Sequence, residues 1–373
     1  MKNYSNLSKS LNANRIFFES RNQYRSSFQR DRDRIIHSAS FRRLKHKTQV
    51  FVNTLGDHHR TRITHSLEVA QIARSISRYL NLNDDLAETL SLAHDLGHTP
   101  FGHAGEDSLK DCMEGYGSFD HNLQTLRIVM FLEKKYLKFD GLNLTIEAID
   151  GLLKHNGPIK ELNLVNKIIG LKNFKKKINF YEYPSLEAQI SNLSDDVAYN
   201  NHDIQDGISA NIFSLNDLLE LKFFNDLYKN IRLNKKNKKN KTIITQEIIR
   251  NSINLMVKDL IKTTIKNINN KKIKSLSNVK KNKFPIISFS DKYRKIITET
   301  NYFLRVKMYN NKNVIKKNNN GKKIIKFLFN KISKNPNKFK LKENISTNKY
   351  RAISDYISGM TDRYAINLYN NLK

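Results

Sequence analysis

The sequence has a single cysteine, Cys112, no tryptophan, 5 prolines and 13 glycines in 373 residues. One thiol cannot close an intramolecular disulfide, a usage typical of a reducing compartment. Strict polar–apolar alternation of the strand kind is rare. No run approaches the ~18 consecutive apolar residues of a membrane helix. The N-terminus, MKNYSNLSKSLNANR, has no apolar leader-like core. The expectation is a soluble, cytoplasmic protein without a membrane partner. A 39% hydrophobic content over this length supports one large core or two domains.

Acidic residues are scarce in one part only. Residues 231–373 hold 36 Lys and Arg against 7 Asp and Glu, a net +29, whereas residues 1–230 are nearly neutral at +2. The cations come mixed with asparagine, as in NKKNKKNKK and NNKNVIKKNNNGKK. A nucleotide bias toward A and T produces such a pattern without function. A surface that attracts polyanions produces it too, because clustered cations concentrate anions.

Leu, Ile and Lys are abundant, and apolar residues recur at helical spacing. The expected fold is all-α: a helical bundle with additional C-terminal helices. Three segments follow in order. Residues 1–30 form a polar, partly mobile lead-in, residues 31–210 the informative core, and residues 211–373 a basic helical region packing on that core. Within the last, 234–242 and 310–323 read as solvated loops. NSINLMVKDLIKTTIKNI and DKYRKIITETNYFLRVKMY read as helices, and the C-terminus as helix, Gly359 break, helix.

Three helices carry the candidate chemistry. In the first, about Thr64–Leu80, His65, Val69, Ile72 and Ile76 fall on one face, so His65 extends an apolar stripe. The second runs from an Asn83 cap to Gly97 as a C-terminal glycine. Leu86, Leu90 and His94 share a face there, and Asp95 follows at once. The third starts with Pro184 in its first turn and ends near Gly207. Asp195, Tyr199 and Asp203 lie one turn apart on it, either as a solvated face or as the wall of a pocket. Two imidazoles and two carboxylates on three helices make a mixed nitrogen–oxygen set suited to Mg, Mn, Fe or Zn.

The stretch HDLGHTPFGHAGE (94–106) concentrates three of the eleven histidines in thirteen residues. It is either a site for a metal and proton transfer or a chance cluster on a polar loop. Glu106 lies three residues after His103, so a helical segment lets them pair. Arg62 precedes His65 by three residues and lies near it.

Several long segments together resemble the HD-domain phosphohydrolases, and most closely the bacterial deoxyguanosine-triphosphate triphosphohydrolase-like group. They are FQRDRDRIIHSASFRRLKHKTQVF (28–51), RTRITHSLEVAQIAR (60–74), AHDLGHTPFGHAGE (93–106), FDHNLQTLRI (119–128), EAQISNLSDDVAYNNHDIQDG (187–207) and DYISGMTDRYAI (355–366). Little between 210 and 350 matches. Asp120 stands where the family usually has Glu, and Ser354 where Cys is common. The resemblance implies an HD-fold bundle that removes the whole triphosphate from a deoxynucleoside triphosphate, with dGTP the first candidate. It implies a divalent metal such as Mg or Mn on His65, His94, Asp95 and Asp195. Proton transfer and phosphate contact would fall to His98, His103 with Glu106, and His121. Gln49, Tyr199 and Asp203 would read the sugar, and Arg43 and Arg62 would hold phosphate. A homo-oligomer is expected from the family. Two rivals stand beside this reading: an HD phosphohydrolase acting on another nucleotide phosphoester, and a nucleic-acid-binding or dNTP-sensing protein whose basic region takes single strands.

Overall fold

Side-chain caps set where the first helices begin. In the computed structural model, which describes residues 3–8, 13–49, 60–231, 240–339, 341 and 345–373, Ser26 opens α1 (Ser27–Ile36) with a reciprocal capping box to Gln29. Ser38 opens α2 (Ala39–Arg43). Thr61 precedes α3 (Arg62–Leu80), and Asn83 caps α4 (Asp84–Ala93) by accepting from the Leu86 amide. The order continues with α5 (Gly102–Cys112), α6 (His121–Arg127), α7 (Ile146–Leu153), α8 (Leu162–Ile168) and α9 (Leu186–Ser209). Then come α10 (Leu215–Leu218), α11 (Lys222–Lys229), α12 (Lys241–Asn270), α13 (Leu276–Lys280), α14 (Asp291–Leu304), α15 (Lys312–Lys334), α16 (Ile345–Ser358) and α17 (Asp362–Leu372). Among the described residues no strand forms, only isolated bridges such as Arg15–Thr145.

The chain divides into two compact units that interleave along the sequence. One comprises 1–192, 274–285 and 317–373, and the other 193–273 and 286–316. In the first, α4 packs against α1, α3 and α7. Phe28, Ile35, Leu86, Leu90, Ala93 and Leu126 are among the side chains buried in its core. A second cluster joins Leu109 and Phe119 to Ile325, Leu328, Ile332, Ile353 and Ile357. Each fully buried Leu, Ile or Phe contributes about 1.5–3 kcal/mol. The buried pair Arg127–Asp355, with contacts of 2.5 and 2.9 Å, ties α16 to α6. In the second unit α12 packs on α11 and buries Ile244, Ile248, Met256 and Leu260.

Several sequence expectations shift. Residues 312–323, expected as loop, belong to α15. Poor local propensity is overridden because Val314, Gly321, Ile324, Ile325, Leu328 and Ile332 share a buried helical face. Pro184 lies outside α9, because the Ser185 hydroxyl accepts from the Ala188 amide and takes the capping position. Residues 241–242 are helical, and 232–239 lie outside the described residues. Described parts of the N-terminal segment are built into the first unit. Leu7 is buried, and the Arg15 guanidinium bonds Asp31 at 2.6 Å and the Asn143 carbonyl.

Candidate active site

α3 places His65 and Arg62 on its buried face, and α4 delivers His94 at its end. The rings of His65 and His94 meet edge to face, with centroids 5.7 Å apart. The α-helix stops at Ala93, and His94–Gly97 forms one 3₁₀ turn that carries Asp95. Nδ1 of His94 lies 2.6 Å from the Ser91 carbonyl. A carbonyl only accepts, so Nδ1 bears the proton and Nε2 bears the lone pair. That Nε2 lies 3.5 Å from Oδ1 of Asp95. Two converging lone-pair atoms, one anionic, fit a divalent cation.

Asp95 is buried and held from several sides. Nη1 of Arg62 donates to Oδ2 at 2.9 Å, and Nε2 of His98 sits 3.1 Å from Oδ1. Burial opposes its charge, but Arg62, then His94 and His98, outweigh that and hold the carboxyl well below the usual range. His98 shifts the other way. Burial, then the charges of Arg62 and His121, push its imidazole well below the ordinary value. A neutral His98 that donates through Nε2 to Asp95 carries a bare lone pair on Nδ1. That atom is buried with no hydrogen-bond partner among the described residues.

Gly97 is not the left-handed helix stop expected from the sequence. A Cβ there would lie 2.0 Å from the His121 carbonyl oxygen and 2.4 Å from the Thr125 amide. Its missing side chain lets the start of α6 press directly onto the His94–Gly97 turn. Gly105 likewise leaves room for the Pro100 carbonyl, 1.9 Å from where its Cβ would sit. These glycines serve close packing of the chain on itself.

That packing brings His121 in as the first residue of α6 rather than as a surface loop residue. Its Nδ1 lies 2.8 Å from Oε1 of Glu106, which also accepts its main-chain amide at 3.0 Å. Nδ1 of His103 lies 3.6 Å from the other oxygen, Oε2. Glu106 therefore serves two histidines, where the spacing suggested one. Burial opposes its charge, but the close approach of His103, the hydrogen bond from His121 and the charges of His121 and His98 hold it well below the carboxylate range. For His121, burial alone would lower the pKa; Glu106 overcomes this and raises it. The rings of His121 and His98 stack at 4.1 Å and 14°. His98, Glu106 and His121 form a compact group of metal-ligand type, although Glu106 already accepts from His121.

The other candidates have distinct settings. Gln49 is half-buried near Gly102, and its Oε1 has no partner among the described residues. Arg43 donates to the Ser40 hydroxyl at 2.8 Å and lines a cavity of about 330 Å3 with Ile128, Leu132, Tyr356, Met360 and Tyr364. No contact described here brings it to the histidines. Asp195 is half-buried on α9. In the second unit, the Tyr309 hydroxyl meets that of Tyr199 at 2.6 Å and the carboxylate of Asp203. Burial, then Asp203 and Tyr199, push the Tyr309 phenol far up, so it stays a neutral donor. No spacing rule links residues so far apart, so the sequence alone does not connect Tyr309 with Tyr199 and Asp203. Lys47 also went unnoticed: it is buried beneath the His98 turn and donates to the His98 carbonyl.

Residues 62–200 match the HD domain, and residues 287–371 match the phosphohydrolase-associated domain. A Pelagibacter ubique (strain HTCC1062) protein named deoxyguanosinetriphosphate triphosphohydrolase-like protein is 67% identical over 368 residues, 99% of each chain. A Rickettsia rickettsii (strain Iowa) protein of the same name is 43% identical over 364 residues, covering 96% of this chain and 94% of its own. The chain belongs to this dGTPase-like HD family. HD domains are all-α, metal-dependent phosphohydrolases, and His65, His94 and Asp95 supply donors suited to that chemistry. The HD match spans all four expected ligands and Tyr199, while Gln49, Arg43 and Asp203 fall outside it. No helix among the described residues is long and apolar enough to cross a membrane.

Proposed function

We propose that this dGTPase-like HD phosphohydrolase converts a deoxynucleoside triphosphate, dGTP first, to deoxynucleoside and tripolyphosphate. The observation that carries the reading is Glu106, fixed between His103 and His121 beside the His94–Asp95 pair. His65, His94, Asp95 and Asp195 are the ligands assigned to a divalent ion of the Mg or Mn class. When bound, such an ion neutralises charge on the α-phosphate.

The chain's own groups divide the remaining work. His121, kept protonated by Glu106, grips a phosphate oxygen. His98 offers a lone pair on Nδ1, so it faces a proton, such as one on the attacking water, rather than an oxyanion. As oxygen bonds to the α-phosphorus, the bond to the 5′-oxygen breaks. His103 donates the proton that the 5′-oxygen takes up. His103 is the most exposed of the three imidazoles and the best able to reach substrate. Arg62 is 2% exposed and bonds Asp95 through Nη1, so it orients that carboxylate, and its assignment to phosphate falls to the rest of the guanidinium. Gln49, Tyr199 and Asp203 are assigned to the sugar.

Product analysis with each dNTP and with Mg, Mn and Co tests the reading. Deoxynucleoside with tripolyphosphate is expected. Orthophosphate or pyrophosphate as the inorganic product would overturn it in favour of another phosphoester hydrolase.

The +29 region supports a second, separate role in binding single-stranded nucleic acid. Log affinity should then fall about linearly with log salt, with a slope of about −0.7 per phosphate neutralised. Replacing Lys235, Lys236, Lys238 and Lys239 with Gln should flatten that slope and leave hydrolysis unchanged. Identical titrations for both proteins would remove these four lysines from the role.

A further inference from the structure

Lys47 is a costly residue to bury. It is 3% exposed, and its ammonium bonds two main-chain carbonyls, those of His98 and Ser358, the latter at 2.8 Å. Burial, then the neighbouring Arg43 and Arg62, pull it down to about 7. The next residue continues the connection. The main-chain amide of Thr48 donates to Oδ2 of Asp362 at 3.1 Å, and its hydroxyl donates to the same oxygen. The other carboxylate oxygen accepts the Phe101 amide at 3.1 Å. Phe101 has φ 63°, in the left-handed region that a bulky side chain adopts only when its surroundings force it. Its side chain packs where Gly321 of α15 has no Cβ: one there would lie 2.8 Å from that of Phe101.

Segment 98–102 is thus fixed at both ends. Lys47 holds its first carbonyl and Asp362 holds the amide of its fourth residue, Phe101, and both also grip segment 358–362 or the 47–48 main chain. This loop joins His98 to the start of α5, which carries His103 and Glu106. We propose that Lys47 and Asp362 are positioning residues for that loop, so that the alignment of His98 and His103 depends on the distant C-terminal segment Ser358–Asp362. The kinetic half of this proposal rests on the proposed hydrolysis; the structural half does not.

The test compares the full-length wild type with Lys47→Met, Lys47→Gln and Asp362→Asn, by hydrogen–deuterium exchange, metal content and steady-state kinetics. Lys47→Met keeps length without a donor, and Lys47→Gln restores one if the first does not fold. The amides of His98, Thr99, Phe101 and Gly102 should exchange at least about tenfold faster in Asp362→Asn and Lys47→Met, while α1 and α4 keep their protection and metal stoichiometry holds. The kcat should fall roughly 10²-fold, as for a misplacement of about 1 Å, with KM nearly unchanged and partial rescue in Lys47→Gln. Unchanged protection of 98–102 in folded variants would overturn the proposal. So would equal loosening of α1 and α4, which marks general destabilisation. A wild type that hydrolyses no dNTP would sink the proposed function and leave the exchange result to judge the loop.

Discussion

Asp95, buried, and Glu106, half-buried, are two carboxylates in the same unit, both held ionised well below their ordinary range. The means differ. Asp95 owes its charge first to Arg62, a buried guanidinium 2.9 Å away. Glu106 owes its charge to two imidazoles, His103 close by and His121 through a hydrogen bond. One carboxylate is therefore fixed at any working pH. The other belongs to a cluster in which it raises the pKa of a neighbouring imidazole, His121. A ligand set needs the first property, and proton transfer needs the second.

Asp95→Asn should strike the fixed side hardest. It leaves Arg62 buried without its anion, a loss of about 3–5 kcal/mol at every pH, and it should abolish both bound metal and turnover. Chemical denaturation and elemental analysis check it; full metal content in the folded variant would refute the ligand assignment. On the titrating side, His103→Ala should lower kcat by ~10²–10⁴, the usual worth of a placed proton donor, with metal and nucleotide binding retained.

Glu106→Gln should cost less, roughly 10- to 100-fold, as for a partner that orients a histidine. Its signature is the pH profile. The raised pKa of His121 gives an interaction fully present below 6.5 that fades as pH rises through the folded value. The depressed pKa of Glu106 gives one present above about 4.5 that fades only in strong acid. Removing Glu106 leaves burial to lower His121, so the alkaline limb of kcat/KM should move to lower pH. An unmoved limb would break the contrast between the two carboxylates.

Much of the first unit was legible because its signals are local. The stripe His65–Val69–Ile72–Ile76, the Asn83 cap and the His103–Glu106 spacing each involve residues within a few turns of one another. The HD pair at the end of an apolar face was visible for the same reason. The contacts that complete the site are not local. His121 reaches Glu106 across fifteen positions through a glycine whose role is an absent Cβ, and Tyr309 reaches Asp203 from 106 residues away. Lys47 bonds only carbonyls, and every residue has one, so its own sequence context carries no mark of its partners. The helix over 312–323 was hidden by asparagine-rich composition and became visible only with the apolar face it shares with 324–332.

The orientation of His94 has one more property. The group that fixes its tautomer is the main-chain oxygen of Ser91, three residues earlier on the same helical path. No change of side chain at position 91 removes that oxygen. Ser91 is itself buried, so a small residue such as alanine can replace the serine there and still present the same imidazole nitrogen. The orientation of this candidate ligand is inherited from helix geometry, and it is insulated from mutation in a way that a carboxylate or hydroxyl partner could never be.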